Sequence, residues 1–371
     1  VTTKVQPTIG FLLLGGIHHI YHLVPVAAEC AKHSDAKTVL YVRAANEARI
    51  CRDILDKLGG QACDIIQLSG QNWLRRTKVP LLLRNLKQLK SLSALVAVER
   101  TSTILKILPG FKVPLIHIPH GAGDRAQSYD KRIAHFDFVI PAGSKDRDRM
   151  IELGLITAEN SKASGYVKTA ALKELKAESD SLFANSRKTV LYSPHFDTEL
   201  STWPLFGEDV LKAFAAQDEF NLIFAPHIRL FKNASAQDRK RIESYSDNDT
   251  IRVDLGSPNS IDMTYTLGAD IYLGDASSQV YEFLSTPKPC VFFGPEARDW
   301  KGDPDYAHWR YGDVKFSTVD AMEALTQASS QHKVYKDIQI EGVKQAFGQS
   351  DVYAPTMAAN IIADFVFKDT A

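Results

Sequence analysis

Short, almost uninterrupted apolar runs alternate with helical patterns along nearly the whole chain, and this limits the folds open to it. In the first half the runs are TIGFLLLG, KTVLYVR, CDIIQLS, SALVAVE, VPLIHIP, FDFVIPA and SKASGYV. A strand with one wet face alternates apolar and polar residues. A strand that is apolar throughout must be covered on both faces, and helices between parallel strands supply that cover. The pattern restarts after the polar segment KELKAESDSLFANSRK, with TVLYSP, FNLIFAP, TIRVDLG, ADIYLGD and PCVFFG. A chain of 371 residues is also longer than one core ordinarily serves. The pattern therefore predicts an α/β protein of two doubly wound domains, residues 1–180 and 186–350. Residues 351–371 are expected to form a terminal helix that packs back on the first domain.

Composition removes several function classes. Lys and Arg total 44, matching 44 Asp and Glu. That balance argues against a nucleic-acid binder, which gains affinity by neutralising phosphates. The cysteines Cys30, Cys51, Cys63 and Cys290 have no Cys-x-x-Cys spacing and read as reduced, buried thiols of a cytoplasmic protein. The early run IGFLLLGGI is too short to span a bilayer and lacks the flanks of a signal peptide.

Open parallel sheets bind ligands beyond the carboxyl ends of their strands, and the chemically loaded stretches fall there. IPHGAGDR follows the fifth run and offers His120, with Gly121 and Gly123 allowing close approach to the backbone. SPHFDTE brings His195 and Asp197, an i, i+2 pair able to bind a hydroxyl or orient a phosphate, though a plain Asx-type turn is the more economical reading of the pair. FAPHIR brings His227 and Arg229, suited to gripping phosphate oxygens. In GDASSQVYE, Asp275 ends a strand, Ser277 and Ser278 stand where a helix start would attract phosphate, and Glu282 lies one turn on, within reach of a ribose hydroxyl. His18 and His22 have metal-like i, i+4 spacing in GGIHHIYH beside His19, but no third ligand is evident, so no metal or other cofactor is expected. The Asp-x-Asp pairs at 247–249 and 303–305 sit in polar loops and are discounted. Between Ile65 and Val98 there is no acidic residue. Residues 73–90 there carry Trp73, Arg75, Arg76, Lys78, Arg84, Lys87 and Lys90, a stretch that suits an anionic membrane surface or an ordinary solvated helix face.

Taken in order, the motifs from Val113 to Phe293 resemble the CDP-glycerol glycerophosphotransferase family, makers of teichoic-acid-type polymers. IPHGAGDR is similar to its His-Gly motif, SGYVK to its Gly-Tyr-Pro-Arg segment, and VLYSPHFDTE to its Tyr-x-Pro-Thr-x-Arg-Asp stretch. FAPHIRL is similar to its His-Pro motif, and GDASSQVYE to its Thr-Asp-Tyr-Ser-Ser and Phe-Asp core. The chain departs from the family at Ile228 after His227, at Gly274 and Ala276 around Asp275, at Tyr281 and Glu282, at Val167 and Lys168, and at Ala122, Gly123, Asp124 and Arg125.

The resemblance implies a GT-B fold of two facing Rossmann-like domains, acceptor in the first and nucleotide donor in the second. It implies a catalytic pair, His120 as base and His227 at the phosphate. Gly121, Gly123, Arg125, His195, Asp197, Arg229, Asp275, Ser277, Ser278 and Glu282 would bind donor or acceptor. The expected partners are a CDP-linked or other nucleotide-linked donor and a lipid-linked or polymeric acceptor. The enzyme would be cytoplasmic, peripheral on the inner membrane face. Two other readings stand beside it: a sugar-nucleotide glycosyltransferase or UDP-sugar 2-epimerase of the same fold, marked by an acidic base facing the sugar, and a non-catalytic nucleotide-sugar or polymer-binding protein.

Overall fold

The computed structural model describes residues 6–70, 77–121, 123, 129–176, 181–247, 249–294, 300–348 and 350–368. Six parallel strands form the first sheet: β1 (Thr8–Leu12), β2 (Lys37–Val42), β3 (Asp64–Gln67), β4 (Ala94–Ala97), β5 (Leu115–His117) and β6 (Phe138–Val139). They lie in the order β3-β2-β1-β4-β5-β6. The second sheet contains β7 (Lys188–Ser193), β8 (Phe220–Phe224), β9 (Ile251–Val253), β10 (Ile271–Gly274), β11 (Cys290–Phe293) and β12 (Asp313–Lys315), ordered β12-β11-β10-β7-β8-β9. Counted within each half, both sheets have the doubly wound order 3-2-1-4-5-6.

The apolar runs form these sheets because each is buried on both faces. Along β1, Ile9 and Phe11 join one core cluster while Leu12 joins another, and along β2 Leu40 and Val42 face one way, Val39 and Tyr41 the other. In the second sheet Val190, Tyr192, Leu222, Phe224, Leu273 and Phe293 share a cluster with the helix Trp203–Ala215. Full burial of such a side chain contributes about 1.5–3 kcal/mol. All four cysteines are free and buried.

The chain divides into two compact units, Val1–Ala122 with Tyr129–Ala177 and Lys344–Ala371, and Gly123–Ser128 with Glu178–Val343. The terminal helix Ala354–Lys368 packs in the first unit against the helices Ile20–His33 and Val167–Leu175. Thr356 Oγ1 donates to Glu29 Oε2 at 2.5 Å there.

Three elements differ from expectation. SKASGYV makes only an isolated bridge, Val139 to Ser161, because β6 offers two residues to pair with. β12 was not foreseen, since Val314 is the one apolar residue among its three. The helix Thr318–Phe347, 30 residues long, escaped because its polar residues give little periodicity. No described helix is long and apolar enough to cross a membrane.

Candidate functional site

In the first unit the strand ends gather a histidine pocket. Gly16, with φ of 90°, turns the chain sharply after β1 and starts the short turn Ile17–His19. The helix that follows carries His22, which is buried against the Tyr166 ring, 5.5 Å away. His120 reaches the same place from the end of β5. Its ring centroid is 4.4 Å from that of His19, 6.3 Å from His18 and 6.4 Å from His22. The metal-like spacing of His18 and His22 thus belongs to a four-histidine cluster. Among the described residues, no group of three or more His, Cys, Asp or Glu has an arrangement that could hold a metal.

Cations surround the cluster. Lys168 is buried at the start of its helix, and Lys78 and Arg43 act on His18 as well. Burial is the main force keeping His18, His19 and His22 below the usual histidine range. His120 is open to solvent at its surface, so a substrate can reach it. The protein around it nonetheless lowers its pKa to about 4, desolvation first, then the charges of His18 and Arg100, with Glu99 opposing. His120 is thus held neutral to lower pH than a free imidazole, and it holds a proton less tightly. Gly121 has φ of 82° and nothing within 4 Å of where a Cβ would stand. The turn requires glycine, and the space beside it is open.

Sequence reasoning missed Glu99. It lies just past β4, which pairs with both β1 and β5. Its Oε2 is 2.8 Å from Lys78 Nζ and its Oε1 is 3.5 Å from His19 Nδ1. An acid closing the run SALVAVE was the available signal.

In the second unit two motifs 80 residues apart form one structure. The Asp275 carboxylate accepts from the His195 backbone N–H at 2.9 Å, and its Oδ2 accepts from the Thr202 N–H at 2.8 Å and Thr202 Oγ1 at 3.1 Å. It thereby ties the loop after β7 to the start of the helix Trp203–Ala215. The Asp275 carbonyl accepts from His308 Nε2 at 2.9 Å. Asp275 is 1% exposed, and burial raises its pKa to about 6. Geometry gives it a bracing task in place of the ligand contact the motif suggested.

The loop it braces presents His195, and the loop after β8, tied to it by the His227 N–H donating to the Pro194 carbonyl at 3.0 Å, presents His227. The Asp197 backbone N–H donates to His195 Nδ1 at 3.0 Å, and the Arg229 backbone N–H donates to His227 Nδ1 at 3.2 Å. Because each Nδ1 is an acceptor, the proton of each neutral ring sits on Nε2, which becomes a donor. Phe196 stands between the rings, 4.3 Å from His195 and 4.6 Å from His227. The Arg229 guanidinium lies 4.0 Å over the Phe196 ring, a cation–π platform that restricts an exposed side chain. Asp197 serves as the turn: its Oδ1 accepts from the Glu199 N–H at 3.2 Å and its carbonyl from Ser201 at 2.8 Å.

The serines are less suited to anchoring phosphate than the sequence suggested. The helix after them runs only from Gln279 to Phe283, and Ser278, its N-cap, makes no side-chain cap bond. Ser277 is buried and its Oγ accepts from the Gln279 N–H at 3.4 Å. Ser278 is exposed, and a Cβ on Gly123 would stand 2.6 Å from its Cβ, so this approach requires glycine. Glu282 is 8% exposed and lines a recess of only about 10 Å³ with Asn259, Ser260, Tyr265 and Gln279, too small for a ribose as it stands. Ser193 Oγ donates to Gln279 Oε1 beside it. Met263, with φ of 62°, also lines the recess. Arg125, Trp73, Arg75 and Arg76 lie outside the described residues. The Asp-x-Asp pairs form turns: Asp247 Oδ1 accepts from the backbone N–H groups of residues 249 to 251, and Asp303 Oδ1 from Asp305.

No protein-family model and no curated protein matches the sequence. Solved structures do. S. aureus MnaA with UDP matches at a TM-score of 0.67 and 12% identity, over 98% of this chain and 97% of that one. UDP-GlcNAc 2-epimerase from Neisseria meningitidis, bound to UDP-GlcNAc, matches at 0.64 and 13%, over 98% and 100%. The wall teichoic acid polymerase TagF matches at 0.64 and 14%, over 98% and 88%. With two Rossmann-like parallel sheets matching these neighbours, the fold is of the GT-B type.

Proposed function

We propose that the chain is a transferase that moves glycerol phosphate, or a related polyol phosphate, from a CDP-linked donor to an acceptor hydroxyl in cell-surface polymer synthesis. The observation that carries this reading is the donor set of the second unit. Two imidazoles with their protons on Nε2 and one guanidinium stacked on Phe196 stand at neighbouring strand ends. Such groups match a phosphate's oxygens. In this reading the acceptor hydroxyl gives its proton to His120 and attacks the phosphorus that carries the glycerol. The bond from that phosphorus to the CMP oxygen breaks, and CMP leaves with the electron pair. His227 and Arg229 stabilise the charge that develops. TagF, solved also after a soak with CDPG, supports the donor class by likeness of fold.

A second reading has its own observation. Glu99 is an acid at a first-unit strand end, beside the histidine pocket, as a UDP-sugar 2-epimerase or glycosyltransferase would need. A panel of CDP- and UDP-linked donors decides between them. The transferase reading expects CMP release from CDP-glycerol only when an acceptor is present. Inversion at C2 of a UDP-sugar without acceptor would replace it with the epimerase reading. Binding without turnover of any donor would favour a carrier or binding protein.

A further inference from the structure

Glu99 does more than mark a strand end. The sheet order sets its position, because β4 lies between β1 and β5. Glu99 therefore stands between the turn bearing His19 and the loop bearing His120. Gly15 makes room for it: a Cβ there would collide with both the His19 ring and the Glu99 carboxylate. His19 is 2% exposed, and neither ring nitrogen has a hydrogen-bond partner among the described residues. Buried polar atoms left in this state are costly, and Glu99 Oε1, 3.5 Å from Nδ1, is the acceptor placed to relieve one of them. The other carboxylate oxygen is held by Lys78.

The groups acting on His120 are His18, Arg100, Lys78 and Glu99, with His117 interacting with it from β5, and further charges of the pocket act on His18 and His22. Lys78 opens the helix Lys78–Arg84 and Arg100 follows β4. His18, His19 and His22 come from the segment after β1, and Lys168 from the helix Val167–Leu175. Arg43, past β2, is bound to its own Glu47 at 2.9 Å. A proton arriving on His120 would thus enter a field of cations opposed by Glu99.

We propose that Glu99 is the counter-charge on which proton uptake in the histidine pocket depends, and that Lys78 sets how much of that charge the histidines feel. Glu99 and Lys78 are positioning residues, acting through His19 and His120. The meaning for turnover rests on His120 being the base of the proposed transfer. The charge relation itself is open to direct measurement in the intact protein.

The test is an NMR titration of the histidine ring signals in wild type, Glu99→Gln and Lys78→Met, with His120 assigned from His120→Gln. Removing the carboxylate should lower the His120 midpoint by about one pH unit. Removing the ammonium should raise it by about one unit, as for a unit charge several ångströms away in partly solvated surroundings. Structural damage alone would not move the two variants in opposite directions. Midpoints that shift together, or that both stay within about 0.2 unit of wild type, overturn the proposal. If Glu99→Gln does not fold, Lys78→Met decides alone: an upward shift supports the proposal and none defeats it. Activity separates this from the functional reading. Full turnover in His120→Ala would end His120's role as base and leave the charge relation standing. Unmoved midpoints would end the charge relation even if His120→Ala were inactive.

Discussion

The two units have the same strand order, yet they use the acid at the equivalent point differently. In each sheet the order reverses between the first and fourth strands, β1 and β4 in one, β7 and β10 in the other. Ligands of such folds bind at that reversal. Both units place a histidine after the first of these strands, His19 and His195, and an acid after the fourth, Glu99 and Asp275. Glu99 is partly accessible and pairs with side chains, Lys78 and His19. Asp275 is sealed and receives backbone N–H groups and the hydroxyl of Thr202. One acid is left for electrostatics; the other locks a loop so that His195, Phe196, His227 and Arg229 keep their arrangement.

The largest expected effect would break the first half of this contrast. His120→Ala should lower turnover by roughly a hundredfold or more while nucleotide affinity stays near wild type. Steady-state kinetics with a CDP-linked donor is the check, and unchanged turnover would remove His120 from the chemistry.

Stability should separate the two acids. Asp275→Ala strands two buried N–H groups and a hydroxyl, so denaturant unfolding should show a loss of about 2–4 kcal/mol. Glu99→Gln should cost less than about 1 kcal/mol. Equal losses would erase the distinction. pH sharpens it. Asp275 titrates near 6 in the fold and near 3.9 when unfolded. Between those values the folded state binds more protons, so this group's contribution grows as pH falls from 7 toward 4 and is lost as pH rises through 6. Against Asp275→Asn, wild type should gain up to about 2–3 kcal/mol over that window. A flat difference would mean the carboxyl is not raised.

Phe196→Leu should weaken CDP binding about three- to tenfold by releasing Arg229 from its platform, a cation–π contact of about 0.5–1 kcal/mol plus the lost restraint. The smallest effect concerns membranes, where an acceptor linked to lipid would be met. Leu83, Arg84 and Lys87 are exposed in the stretch without acids. Each cation contributes about 1 kcal/mol near an anionic surface. Replacing Arg84 and Lys87 by Gln should reduce sedimentation with anionic liposomes at low salt. No sedimentation of wild type would make this face an ordinary solvated one.

Much of this was legible in the sequence, and the rest has physical reasons for being hidden. Apolar runs located eleven of the twelve strands among the described residues, because burial on both faces leaves a compositional mark. β12 has none, since Val314 stands there between Asp313 and Lys315. Strand ends located His120, His195, His227 and Arg229. What they touch was not legible. The bond from the His195 backbone to Asp275 spans 80 residues and exists only because β7 pairs with β10. Glu99 meets His19 only because β4 lies beside β1. The tautomers of His195 and His227 depend on turn geometry, which His-x-Asp and His-x-Arg do not reveal.

In the proposed reading the proton is handled in the first unit and the nucleotide phosphates are held in the second, and calorimetry with CDP tests that division most directly. His120→Ala should bind CDP within about twofold of wild type, and Arg229→Gln should bind it roughly tenfold more weakly, the loss of about one charge-assisted contact. The opposite result, CDP binding lost in His120→Ala and kept in Arg229→Gln, would contradict it.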